Sequence, residues 1–365
     1  MTLELIDFVV ETDGVDLEDF PPEVQKRINE ELDELTGGDG GPGSDPDNPP
    51  QSIIVDAGGD GDYESIQTAI DEEAGSGDVI FVEPGDYESF TVDVDDLTLE
   101  GPNAGIAGDS DQRGDEATIT GKVNIGGDPG GNPTLSGEVV IDGIEMATTT
   151  SGLPDGVVSI ADRSERVENA TIKNSVVDIE PSGVGVGIAV EEVDNLTIEN
   201  NEFTESGSGT SVAVNVVETA ASNIELSGNM LTDVDRLYNE GAGFIEGRGI
   251  SSTTVRIVDN DVNGAGTAIG IGDSEDSLET VDYVISGNEI EASSVGILQN
   301  GGTPASFTIE NNDFIGDSGT IYVDDAENEI LDLSAILNDQ GNTFDPDADV
   351  TDEDDDGTDD RIVAE

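Results

Sequence analysis

Between about residues 140 and 344, apolar positions come in short alternating clusters followed by an Asn and a further apolar residue. The unit runs through Ile172…Asn174, Ile198…Asn201…Phe203, Ile224…Asn229…Leu231, Ile257…Asn260…Val262, Ile285…Asn288…Ile290, Ile309…Asn312…Phe314 and Asn342…Phe344. Successive Asn residues are 27, 28, 31, 28, 24 and 30 positions apart. Between the units lie further strand-like runs, among them Gly187-Ile188-Ala189-Val190, Val212–Val216 and Ala268–Ile271. Alternation of period two reads as strand, and self-similarity at 24–31 residues reads as a repeat architecture. Three short strands per repeat are what one coil of a parallel β-helix needs, each coil burying its inward residues against the coils on either side. Asn tolerates left-handed backbone, so the recurring Asn is expected at one turn of every coil. Its amide is expected to bond the equivalent Asn of the next coil as a ladder.

The stretch from Ile53 to Gly101 precedes the repeats. Its pattern predicts a strand, then a short helix with Asp62 as N-cap, then further strands separated by Gly, Pro and Asp turns. Ile66, Ala69, Ile70 and Ala74 form the helix's apolar face, and Gly75 is the expected stop. The runs Ser65-Ile66-Gln67-Thr68-Ala69-Ile70, Gly77-Asp78-Val79-Ile80-Phe81-Val82-Glu83-Pro84-Gly85-Asp86-Tyr87 and Leu97-Thr98-Leu99-Glu100-Gly101 resemble the opening of pectin-lyase-like right-handed parallel β-helices. The resemblance implies an all-β fold, a right-handed parallel β-helix with three strands per coil, in which the helix plugs the N-terminal end of the stack. It implies little about chemistry.

Residues 1–36 read as a separate module for attachment or oligomerisation, and 37–50, rich in Gly, Pro and Asp, as a flexible linker. Pro21-Pro22 introduces an amphipathic helix with Val24, Ile28, Leu32 and Leu35 on one face. A module of this size cannot build a good core alone, so that face is expected to dock on something else. The β-helix is expected over 51–344, with Pro102 to Gly137 protruding from the early coils. Residues 345–365 read as a solvated acidic tail.

Charge changes the picture. The chain of 365 residues has 85 Asp and Glu against 11 Lys and Arg, a formal net charge of −74, with 34% hydrophobic residues. Such a composition ordinarily reads as disorder, but the periodicity overrides it. Adaptation to high salt accounts for both facts: the Debye length falls to about 3 Å at molar ionic strength, so a dense carboxylate surface scarcely repels itself. A halophilic archaeal source is therefore expected. No basic stripe exists to neutralise phosphates, which argues against nucleic acid. No run approaches the roughly 18 apolar residues of a membrane span, and the pattern of the N-terminal residues leads to the expectation of no export signal.

Chemistry is thinly represented. The chain has no Cys, His or Trp, which removes thiolate chemistry, the usual acid–base switch and an indole platform for sugars. The Gly-His-Gly of the polygalacturonase type is absent, and none of the few Arg and Lys residues sits in a recognisable pectate-lyase motif, so no catalytic residue is assigned. The stretch Asp233 to Arg256 concentrates Arg236, Tyr238, Phe244, Arg248 and Arg256, which suit glycan recognition through bidentate bonds and ring stacking. Alternatively these aromatics pack on the coil and the arginines pair with nearby carboxylates. Asp352, Asp354 and Asp356 resemble part of a calcium loop, but Val363 stands where an EF-hand needs Glu. Calcium is at most a weak ligand there, and no cofactor is implied. The sequons Asn169-Ala170-Thr171 and Asn195-Leu196-Thr197 fit the glycosylation pattern and are expected to be idle.

The architecture resembles virion spike, fibre and head-decoration proteins, an analogy of layout alone. The expected function is a non-enzymatic virion component of a haloarchaeal virus. Its expected partners are other virion proteins, further copies of itself, and the host surface layer or its glycans. The alternatives are a polysaccharide lyase or glycoside hydrolase, and a cellular surface β-helix protein, extracellular or cytoplasmic in a haloarchaeon.

Overall fold

The computed structural model describes residues 51–126, 134–150, 156–161, 166–216, 223–240, 254–271, 281–300, 306–316, 321–324, 336, 338–345, 348–351 and 361–364. The module 1–36 with Val24, Ile28, Leu32 and Leu35, the linker 37–50, and Phe244, Arg248, Asp352, Asp354 and Asp356 lie outside the described residues.

The protein is a parallel β-solenoid. A regular coil contributes the strands Val184–Val190, Val193–Glu199 and Glu202–Glu205. The chain then returns as Thr210–Val216, which pairs in parallel with Val184–Val190. Among the described residues, one sheet holds ten strands from Ser52–Val55 to Ser306–Glu310, each paired in parallel with the next. Because side chains alternate across a strand, in-register pairing stacks like on like. One inward column runs Ile53, Ile80, Leu99, Ile141, Ile172, Ile198, Leu226, Ile257, Ile285, Ile309, one residue per strand, none more than 3% exposed. Each such side chain contributes roughly 1.5–3 kcal/mol relative to exposure.

The turn after this sheet holds the Asn ladder. Asn201, Asn229, Asn260, Asn288 and Asn312 are each 1% exposed. The backbone N–H and Nδ2 of each donate to Oδ1 of the next, ending at Asn342, over 2.9–3.1 Å. Each Nδ2 also reaches back to a carbonyl of the preceding coil, as Asn260 does to Leu226 at 3.0 Å.

Two expectations are corrected here. Asn174 is one position out of phase, because Lys173 pairs with Glu199 and Ser175 therefore aligns with Asn201. Ser175 donates its N–H to Asn201 Oδ1, while the Asn174 amide bonds Asp142. The left-handed residue is not the ladder Asn but the one before it: Asn174, Asn200, Gly228, Asp259, Gly287, Asn311 and Gly341 have φ between 52° and 74°. From Asn200 onward this position alternates Asn or Asp with Gly. A Cβ on Gly228 would lie 2.5 Å from Asn200 Oδ1, so a side chain in one coil occupies the space above the next.

The helix α1 (Ile66–Glu72) begins later than expected, with Ser65 as N-cap accepting from Thr68 N–H, and it ends at Glu73 rather than Gly75. Asp62 instead accepts the Ile54 N–H at 2.9 Å. Ile66, Ala69 and Ile70 join the core and close the first coils. Residues 102–116 do not protrude as expected. They run down the ladder turn: Gly105 N–H donates to Asp142, Gly108 N–H to the Asn200 carbonyl at 2.8 Å, and Arg113 to the Asn174 carbonyl at 2.6 Å. The acidic tail is not wholly a solvated extension. Arg361–Ala364 pairs antiparallel with Ala348–Thr351 and Ile321–Asp324, burying Ile362.

Candidate binding face

The same alternation that builds the core sends every second residue of the ten-stranded sheet outward. One outward column runs Asn169, Asn195, Asn223, Thr254, Asp282, Ser306. The next runs Thr171, Thr197, Glu225, Arg256, Val284, Thr308. Amides and hydroxyls facing solvent in register bond to one another: Asn223 Nδ2 donates to Asn195 Oδ1 at 2.8 Å, and Asn195 Nδ2 to Asn169 Oδ1 at 2.9 Å. Asn195, Thr197, Asn223, Glu225, Thr254 and Arg256 line a shallow open depression of about 280 Å³, floored by Leu196 and Ile224. Arg256 and Glu225 stand 3.8 Å apart with both side chains 46% exposed. A pair this loose and wet is worth little to stability, which leaves both groups ready to bond a ligand.

The sequence cluster around Arg236 is divided by the fold. Arg256 reaches the outward face just described. Tyr238 is fully buried, in register with Val214 and Ile269, so its ring is a core element and offers no stacking surface. Arg236 is half-buried; burial pulls its guanidinium below its ordinary value and neighbouring Asp235 acts against that. From sequence, Asn195 and Thr197 stood out only as parts of a sequon, and Asn223 and Thr254 not at all, although Asn169, Asn195 and Asn223 each precede an inward residue by one position and recur at the coil period. Among the described residues, no three His, Cys, Asp or Glu side chains are placed to hold a metal.

A second polar group lies where residues 102–116 cross the coils. Burial raises Glu202 above the usual carboxylate range, and Asp109 adds to this while Arg113 opposes it. Asp261 is raised by burial and by Asp109. Met230 stands between the two in register, so they do not form an adjacent acid–base pair.

No curated protein matches the chain. Residues 59–254, more than half of the chain and the stretch that carries α1, the early coils and the outward columns as far as Thr254, match the family described as Protein of unknown function (DUF1565), and the protein belongs to that family.

Proposed function

We propose that the protein is a non-enzymatic, projecting β-solenoid that binds surface glycans through its outward polar columns. The observation that carries this reading is the depression lined by Asn195, Thr197, Asn223, Glu225, Thr254 and Arg256. Amide, hydroxyl, carboxylate and guanidinium groups recur there at the strand spacing of roughly 4.8 Å, which suits an extended polymer lying along the axis. A net charge of −74 repels polyanions, so the fitting ligand is a neutral glycan oriented by Arg256 and Glu225. Single contacts of this kind are weak, and several copies on one particle multiply them.

We place the protein on a virion of a halophilic archaeon, as a spike, fibre or decoration component attached through 1–36. The charge supports the salt habitat, and the amphipathic pattern of 1–36 on its linker supports the attachment.

The test is a glycan-binding screen at multimolar KCl with the full chain and Arg256→Ala. Binding weakened roughly tenfold by the substitution is expected, since a hydrogen bond to a charged group is worth about 1.5–3 kcal/mol. Undiminished binding removes the site, and release of new reducing or unsaturated sugar ends makes the protein an enzyme. Antibody labelling of cell walls rather than virus particles would move it to the cell surface.

A further inference from the structure

Two sequons sit side by side on the outward face, and the fold treats them differently. In a strand, residues two apart share a face, so the acceptor amide and the hydroxyl of Asn169-Ala170-Thr171 both point outward, as do those of Asn195-Leu196-Thr197. Asn195 Nδ2 donates to Asn169 Oδ1 and to the Glu168 carbonyl, which uses both of its hydrogens. Asn169 ends this outer ladder. Its Oδ1 accepts from Asn195, and among the described residues its Nδ2 has no hydrogen-bond partner. The residue aligned with it in the preceding coil is Glu138, an exposed carboxylate beside a bulge in the pairing. Thr171 donates to Glu138 Oε1 at 2.9 Å, which fixes the sequon hydroxyl on the same side as the amide. Asn169 also lies outside the lining of the depression, whereas Asn195 is part of it.

We infer that Asn169 is the acceptor of an N-linked glycan and that Asn195 is not. The donor would be an oligosaccharide carried on a lipid phosphate. Nδ2 of Asn169 forms a bond to the anomeric carbon as the bond from that carbon to the phosphate oxygen breaks. One amide proton is released, the lipid phosphate leaves, and nothing is oxidised or reduced. The product keeps Oδ1, so the bond from Asn195 survives the modification. Attachment at Asn195 would take a hydrogen from one of its two bonds and place a bulky group in the depression.

The experiment is site mapping by electron-transfer tandem mass spectrometry on the full chain, purified from the organism that makes it. Asn169 carrying a sugar series and Asn195 bare is the expected result. Thr171→Ala should abolish the modification, Thr171→Ser should keep it, and Asn195→Gln should leave it unchanged. A bare Asn169 overturns the inference, and so does sugar on Asn195, alone or together with Asn169. Loss of glycan binding in Arg256→Ala is read separately, so either proposal can fail alone.

Discussion

The ladder amides are the residues on which single substitutions should act most strongly. Asn260→Ala strands the Asn229 backbone N–H and the Leu226 carbonyl in a buried turn and leaves Asn229 Nδ2 only its bond to the Ile198 carbonyl. Each unsatisfied group costs about 1–3 kcal/mol, so the variant should lose at least ~2 kcal/mol in denaturant unfolding at fixed salt. Thr308→Ala, on the outward face, should change little. Glu202 gives a pH test. Its folded-state value lies above the ordinary one, so its contribution is favourable below the ordinary carboxylate value and is lost as pH rises through the folded value. Glu202→Gln should therefore melt higher than the parent at neutral pH, and the difference should vanish in acid. An equal difference at both pH values would mean that Glu202 is not strained by its surroundings. At this scale the sequence showed the ladder but not its phase. Asn174 and Asn201 look alike in sequence, and only the pairing of Lys173 with Glu199 reveals that they occupy different turn positions.

Among the elements, helix α1 and the inward columns were legible because apolar periodicity records burial directly. The segment 102–116 was not, because its anchors are backbone groups, a glycine and one arginine, none of which makes a periodic signal. Gly108 shows why the segment lies where it does: a Cβ there would lie 2.5 Å from the Ser175 carbonyl oxygen. Gly108→Val should lift the segment, exposing Asn200 and Glu202, and proteolysis within 102–116 at fixed salt should become faster. Cleavage at the parental rate would show that the contacts are incidental. The tail was misjudged for a related reason. Acidic composition dominated it, yet its last strand buries Ile362 against the core. The outward columns were missed because polar residues on a strand are the default for a solvated face, and only register brings Asn195, Asn223 and Thr254 together.

For the molecule as a whole, charge sets the conditions of folding. With −74 formal charges on 365 residues, self-repulsion opposes the compact state until ions screen it. Circular dichroism melts from dilute to multimolar KCl should show a transition rising by tens of degrees, and a flat response would refute the dependence. The direction of the inner ladder has a further consequence. From Asn201 to Asn312, backbone and side-chain N–H groups of one coil are completed by the carbonyl of the Asn in the coil that follows. Synthesis proceeds in the same sense, at about 5–20 residues per second, so a new coil of 24–31 residues emerges roughly every 1–6 s. Each coil leaving the ribosome thus presents unfilled donors that only its successor can fill, and the nascent chain templates its own growth from the N-terminal end.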